Sequence, residues 1–107
     1  MKHGPIALID EYRAVVCIAP ASQVYEKMIS NLQEIRARCG KIIAIASVGD
    51  EKMKAQTREV IYVPECSELF SPLLVALPLQ LIAYHIAVKR GCDVDQPRNL
   101  AKSVTVE

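Results

Sequence analysis

The 107-residue chain has no tryptophan, one phenylalanine and four glycines, and it shows no excess of either charge. With so few aromatic side chains, a surface that stacks nucleic-acid bases is not expected. The formal net charge is +1, and no basic run is long enough to suggest binding to an anionic membrane or to nucleic acid. The sequence therefore predicts no nucleic-acid partner.

The chain also lacks any close pair of cysteines. Its four cysteines, Cys17, Cys39, Cys66 and Cys92, are far apart, and none forms a C-x-x-C pair. This spacing fits neither a disulfide framework nor a zinc site, and it is more typical of free thiols in a reducing compartment. We therefore expect free thiols in a cytoplasmic protein without a zinc or other metal site. No cofactor is expected.

Two further motifs are missing. There is no Gly-x-Gly-x-x-Gly and no Walker loop, which disfavours a generic nucleotide-binding domain. The longest apolar stretch, residues 69–88, is interrupted by Pro72, Pro78, Gln80 and His85, so a membrane span is not expected. No signal peptide is visible at the start of the chain.

Three short apolar runs rich in β-branched residues predict buried strands. They are Ala14–Ala19, Lys41–Ala46 and Val60–Val63, and prolines follow the first and the third. Continuous apolar runs of this length are typical of strands that are covered on both faces of a parallel sheet.

Helical patterns separate the predicted strands. A short helix is expected from Pro5, and a longer one at about 23–39, with Ser22 as N-cap and Gly40 as a left-handed C-terminal residue. Residues 49–57 predict a short helical turn. A long helix with Ser67 as N-cap is expected to run to about Arg90 and to end at Gly91, with a kink or a local rearrangement at Pro78. On its apolar stripe, His85 is more typical of a hydrogen-bonded core residue than of a catalyst.

The alternation of strands and helices predicts an α/β fold. We expect a doubly wound parallel sheet of the flavodoxin-like three-layer αβα type, with about three strands and flanking helices. Three strands are few for such a sheet, so the chain is predicted to be a piece of a larger α/β domain.

The last fifteen residues, 93–107, differ from an ordinary frayed terminus. They combine a proline, polar side chains able to form hydrogen bonds and apolar anchors, and they contain no glycine. An isolated lysine, Lys102, stands among small and β-branched residues. The pattern predicts a tail that lies in a defined place.

Both ends of the chain resemble one enzyme family. Residues 2–10 (KHGPIALID), residues 79–85 (LQLIAYH) and residues 93–107 (DVDQPRNLAKSVTVE) are similar to segments of the glutamine–fructose-6-phosphate aminotransferases, or glucosamine-6-phosphate synthases. The resemblance implies that residues 1–107 are the C-terminal portion of a sugar isomerase (SIS) domain, the second of two, with 93–107 as an active-site tail. The middle of the chain supports only the fold.

The resemblance implies specific roles for three residues. Lys102 resembles the family's Schiff-base lysine, which condenses with the C2 carbonyl of opened fructose 6-phosphate, and its apolar setting would favour the neutral amine. His3 resembles the histidine that assists ring opening in the neighbouring subunit's site, which implies a homodimer. Ala101 would line the sugar site through its backbone. By composition alone, Lys102 and His3 would instead be solvated terminal groups.

Four polar tail residues, Asp93, Asp95, Arg98 and Asn99, are expected to have a structural role. The family's glutamate base, its phosphate-binding Ser/Thr loops and its glutaminase domain are all missing from the sequence. The resemblance therefore implies that the upstream glutaminase and first SIS domains are partners, and that the isolated chain is inactive. A parallel sheet without its earlier strands exposes an apolar edge and face, which predicts self-association, domain exchange or limited stability. An alternative is a non-catalytic SIS module that binds a sugar phosphate as a sensor.

Overall fold

The computed structural model describes residues 4–38 and 40–96. The chain divides into two compact units, one up to Val75 and one from Ala76 onward. The first unit holds a three-stranded sheet built from β1 (Ala14–Ala19), β2 (Lys41–Ser47) and β3 (Glu59–Val63). A 3-10 helix at Pro5–Leu8 precedes β1, while α1 (Tyr25–Arg36) and α2 (Glu51–Lys54) connect the strands. A long helix, α3 (Ser71–Lys89), follows β3.

The three strands are parallel and lie in the order β1-β2-β3. Val16 pairs with Ile43 and Ile18 with Ile45, while on the other side of β2 Ile45 pairs with Ile61. The strand bounds agree with the apolar runs in the sequence to within one residue. The prediction of an α/β fold with about three parallel strands is confirmed.

One face of the sheet packs against α1. Its side chains are small at the centre of the contact, where Ala44 and Ala46 are fully buried. Three residues of α1 at helical spacing, Ile29, Leu32 and Ile35, cover that face. The small alanines let the helix approach the strands closely, so this layer forms the main core.

The opposite face of the sheet is also apolar but is covered unevenly. Ile45, at the centre, is fully buried, whereas Ile18 on β1 is 39% exposed. The opening turn of α3 contributes Ser71 and Leu74 to a small void shared with Val63 at the end of β3. This face is therefore closed near the carboxyl ends of the strands and open toward β1.

Helix α1 is shorter than the sequence pattern suggested. It begins at Tyr25, not at residue 23, and its N-cap, Val24, provides no side-chain hydrogen bond. The Ser22 carbonyl instead accepts a backbone bond from the Tyr25 N–H at 3.2 Å. Ser22 therefore belongs to a turn before the helix, and the prediction of a serine side-chain cap there was wrong.

Gly40 has a different role from the one predicted. Its φ lies outside the left-handed region, and a Cβ on it would approach Cγ2 of Ile9 to 2.9 Å and Cγ2 of Ile35 to 3.1 Å. The position needs glycine because side chains from two elements close around it. The prediction that Gly40 adopts a left-handed conformation was therefore wrong, and glycine is required at this position for lack of space.

Helix α3 begins four residues after Ser67, whose carbonyl accepts from the Phe70 and Ser71 N–H groups. The helix continues through Pro78. At its end Gly91 has φ +68°, its N–H bonds to the Val88 carbonyl, and the Cys92 N–H bonds to the Ala87 carbonyl at 2.9 Å. This pair of bonds is a Schellman motif, so the predicted stop at Gly91 is confirmed.

The apolar side chains of α3 are mostly exposed. Leu77 and Leu81 are each 58% exposed. His85 is exposed too, and its ring forms a T-shaped pair with the ring of Tyr84 at a centroid separation of 5.4 Å. The prediction that His85 is a core residue was therefore wrong.

By length and composition α3 would also be able to cross a membrane. A single helix of this kind is weak evidence for a membrane span, because core helices of soluble proteins share its length and composition.

Candidate functional site

The three residues to which the resemblance gives chemical roles lie outside the described residues. Lys102, Ala101 and His3 fall in the segments 97–107 and 1–3, so their roles stay predictions. Of the four polar tail residues, Arg98 and Asn99 also lie outside. Asp93 and Asp95 are described, and Asp93 Oδ1 accepts from the Asp95 N–H at 2.9 Å. This local turn is consistent with a structural role for the two aspartates.

The described chain does contain an open pocket at the carboxyl ends of the strands. Because the three strands are parallel, their carboxyl ends meet at one edge of the sheet, the usual position of ligand sites in open α/β folds. The pocket has a volume of about 440 Å³. Its polar lining residues come from the segments after the strands and from the start of α1: Tyr25, Ser47, Asp50, Glu51, Lys52 and Glu65.

A buried hydroxyl forms part of the pocket wall. Ser47, the last residue of β2, is only 7% exposed. Its Oγ accepts from the Ala21 N–H at 2.9 Å, and this bond joins the segment after β1 to the end of β2. Gly49, two residues later, has φ +88°, so the chain turns sharply from β2 toward α2.

Asp50 is the central acceptor of the pocket. Its Oδ2 accepts from the Tyr25 hydroxyl at 2.6 Å, and its Oδ1 accepts from the Met53 N–H at 2.8 Å. Its backbone carbonyl accepts from the Tyr62 hydroxyl at 3.3 Å. Asp50 therefore caps α2 and fastens it to α1 and β3. Of these three partners, Tyr25 also lines the pocket.

The surroundings of Tyr25 favour its neutral form. Desolvation raises the pKa of Tyr25, and the hydrogen bond to Asp50 and the negative charges of Asp50 and Glu26 raise it further. Its phenol is therefore a hydrogen-bond donor and not a base at ordinary pH. The Lys52 ammonium lies 6.0 Å from the Tyr25 ring centroid and forms an ion pair with Glu26 at 2.6 Å.

The described cysteines take no part in this pocket. Cys17 lies in the core, where burial raises the pKa of its thiol and keeps it protonated. Cys66 and Cys92 are also free thiols. Among the described residues, no group of three His, Cys, Asp or Glu side chains is placed to hold a metal ion.

This pocket was not predicted from the sequence. Its residues are separated by up to 44 positions, from Ala21 to Glu65, and no short motif links them. A usable signal was nevertheless present. Polar residues follow each predicted parallel strand, and such segments converge at one edge of the sheet.

Comparison with known proteins identifies the architecture. A family model described as the SIS domain matches residues 1–90, which is most of the chain. The chain belongs to the SIS domain family. The matched range includes the sheet and all of α3, so α3 is a helix of the SIS domain.

Curated relatives of this SIS domain chain bear one name. Proteins called glutamine–fructose-6-phosphate aminotransferase [isomerizing] are 62% identical in Thermus thermophilus, 57% in Chlorobaculum tepidum and 56% in Aquifex aeolicus, each over all of this chain. The chain spans only 17–18% of the length of these relatives. The resemblance drawn from the two ends of the sequence is therefore confirmed.

A solved structure agrees with this assignment. The C-terminal domain of glucosamine-fructose-6-phosphate aminotransferase from Francisella tularensis superposes with a TM-score of 0.80 and 35% sequence identity. The superposition covers 89% of this chain and 27% of that one. The SIS domain chain therefore corresponds in sequence and fold to a small part of a much longer enzyme.

Proposed function

We propose that this chain is the C-terminal isomerase segment of an enzyme that converts fructose 6-phosphate and glutamine into glucosamine 6-phosphate and glutamate. The observation that carries the proposal is the identity of 56–62% to aminotransferases over the whole chain. Because the aligned region runs the full length, it includes the tail, residues 93–107.

Lys102 is the proposed covalent catalyst. Its neutral amine attacks the C2 carbonyl of the opened sugar, and loss of water leaves an imine between the lysine nitrogen and C2. The neighbouring residues in sequence, Ala101 and Ser103, are small, and Leu100 and Val104 are apolar. An apolar setting lowers the pKa of a lysine and so supplies the neutral amine. Ala101 contributes its backbone to the same site.

His3 is proposed to assist ring opening. Opening of the cyclic ketose breaks the bond between C2 and the ring oxygen, so the C2 hydroxyl must lose a proton and the ring oxygen must gain one. Imidazole can exchange these protons near neutral pH. In this proposal His3 serves the site of a neighbouring subunit, so the working enzyme is a homodimer. We further propose that the enzyme acts in the cytoplasm, which agrees with the scattered cysteines.

The proposed partners are the preceding domains of the same enzyme. Within the described residues, β1 pairs with β2 alone, and Ile18 is partly exposed. Parallel sheets are normally covered on both faces, which supports a further segment that packs beside β1. In the proposal this segment belongs to the enzyme's isomerase region, and a glutaminase domain supplies ammonia.

The test uses a chimeric enzyme in which these 107 residues replace the corresponding segment of the Thermus thermophilus aminotransferase. Borohydride added with fructose 6-phosphate should reduce the imine and leave a sugar adduct on Lys102, detectable by peptide mass spectrometry. Lys102→Arg should abolish the adduct. Lys89→Arg, a matched change at an exposed helix residue, should leave it unaltered.

An adduct that survives Lys102→Arg would contradict the proposed role of this lysine. If the folded chimera binds fructose 6-phosphate and yields no adduct, the alternative of a non-catalytic sugar-phosphate sensor is favoured. The isolated chain, incubated with glutamine and fructose 6-phosphate, should form no glucosamine 6-phosphate, because the proposal places the base and the phosphate-binding loops elsewhere in the enzyme.

A further inference from the structure

The short segment that follows α3 is held by local hydrogen bonds and not by burial. All of residues 91–96 are exposed in the described chain. At the helix end, the Gly91 N–H donates to the Val88 carbonyl at 3.0 Å, and the Cys92 N–H donates to the Ala87 carbonyl at 2.9 Å. This Schellman motif turns the chain away from the helix axis. The course of the chain beyond α3 therefore depends on bonds between residues close in sequence.

A second turn follows the first without a gap. Asp93 Oδ1 accepts from the Asp95 N–H, two residues later, at 2.9 Å. A side-chain acceptor in this position closes an Asx turn, which replaces a backbone hydrogen bond by one from the side chain. The next residue, Gln96, precedes a proline in sequence, and such a residue favours an extended backbone. Local chemistry thus specifies the path from α3 up to residue 96.

The two aspartates of this segment contribute different groups. Asp93 supplies a side-chain oxygen, whereas Asp95 supplies only its backbone N–H to the turn. Within residues 4–38 and 40–96, the Asp95 carboxylate forms no hydrogen bond and no ion pair. The turn therefore requires an acceptor at position 93. It requires neither a negative charge there nor any particular side chain at position 95.

We propose that Asp93 is a positioning residue for Lys102, nine positions further along the chain. This inference rests on the proposed function, in which Lys102 attacks the C2 carbonyl of the sugar. The Asp93 side chain closes the turn and so directs the tail, residues 93–107, as it leaves α3. Without that acceptor the tail leaves in more than one direction, and a smaller fraction of molecules holds the amine at C2. Asp93 therefore affects the rate of imine formation and not the binding of the sugar phosphate.

The test compares three variants of the Thermus chimera. Asp93→Ala should lower kcat for glucosamine 6-phosphate formation about fivefold, the effect of losing one hydrogen bond, with little change in KM for fructose 6-phosphate. Asp93→Asn keeps the acceptor and should restore kcat nearly to the wild-type value. Asp95→Ala removes the neighbouring carboxylate but leaves the backbone N–H, so it should not alter kcat. Melting temperature and glutamine hydrolysis should be the same in all three.

Three results would overturn the positioning role while the wild-type chimera is active. They are a wild-type kcat in Asp93→Ala, an Asp93→Asn variant as impaired as Asp93→Ala, and an equal loss in Asp95→Ala. The second and third would assign the effect to charge and not to the turn. A folded wild-type chimera that forms neither product nor a Lys102 adduct would instead contradict the proposed function, and this inference would fall with it.

Discussion

At the scale of single residues, one hydrogen bond joins the two connections that form the pocket. Tyr25 begins α1 and Asp50 caps α2, and 25 positions separate them in sequence. Neither residue belongs to a recognisable sequence motif, so their contact is seen only in the folded structure. The bond to a carboxylate is of the stronger, charge-assisted kind, although the site is only partly buried.

Tyr25→Phe should lower the free energy of unfolding by about 1–2 kcal/mol near neutral pH, because Asp50 loses a donor. Since the pKa of Tyr25 is raised in the folded state, the stability that it contributes is present below the ordinary tyrosine pKa of about 10 and declines as pH rises above it. The difference between wild type and variant should therefore narrow in alkaline solution.

Urea unfolding at neutral pH and above about pH 10 measures this difference. Tyr12→Phe is the control, since Tyr12 is 84% exposed, and it should change little at either pH. A Tyr25→Phe variant as stable as wild type, or a gap that widens with pH, would contradict the role assigned to the bond.

At the scale of elements, the strands were predicted from sequence better than the helices. Runs such as Ala14–Ala19 are locally distinctive, because a strand covered on both faces must be apolar throughout. The helix starts depended instead on how nearby backbone groups pair. Ser22 and Ser67 were expected to cap the helices with their side chains. Instead, their backbone carbonyls accept hydrogen bonds from N–H groups at or just before the helix starts. Helix α1 begins three residues after Ser22, and α3 begins four residues after Ser67.

Pro78→Ala should stabilise α3. The proline lies inside the helix, where it supplies no N–H for the carbonyl of Leu74. Alanine restores that bond, and we expect the free energy of unfolding to rise by about 1–3 kcal/mol, with a gain in helical circular dichroism.

Pro72→Ala is the matched control. Pro72 is the second residue of α3, where the missing N–H would have had no partner within the helix. It should change stability by less than about 0.5 kcal/mol. Equal effects of the two substitutions would show that Pro78 destabilises α3 no more than Pro72 does.

At the scale of the whole molecule, β1 is an edge strand of the described sheet. β1 contains no charged residue, whereas β3 starts with Glu59, and charged side chains are one means by which natural edge strands avoid unwanted pairing. The isolated chain should therefore self-associate through the edge of β1.

Ile18→Lys should shift the isolated chain toward the monomer in sedimentation velocity. The substitution puts a charge on β1 at a position that is partly exposed. Val24→Lys, at an apolar residue that is 50% exposed just before α1, is the control and should not alter the sedimentation profile. A wild-type chain that sediments as a monomer at all concentrations would refute self-association.

The roles of the two ends of the chain rest on resemblance and not on geometry. Lys102 and His3 were identified from short strings, since no periodicity or spacing marks a terminal lysine or histidine as catalytic. The pocket shows the reverse case, because Ser47, Asp50 and Glu65 are unremarkable in sequence and acquire meaning only when the strands align. Local sequence patterns predict helices and strands, whereas a pocket depends on which helices, strands and loops come together in the fold.

The most direct measurement is the rate at which the Thermus chimera forms glucosamine 6-phosphate from glutamine and fructose 6-phosphate. Our account predicts synthesis by the chimera and its loss in Lys102→Arg, while glutamine hydrolysis by the unaltered glutaminase domain continues. A chimera that is folded and hydrolyses glutamine, yet forms no glucosamine 6-phosphate, would contradict the proposal that this chain is the C-terminal isomerase segment.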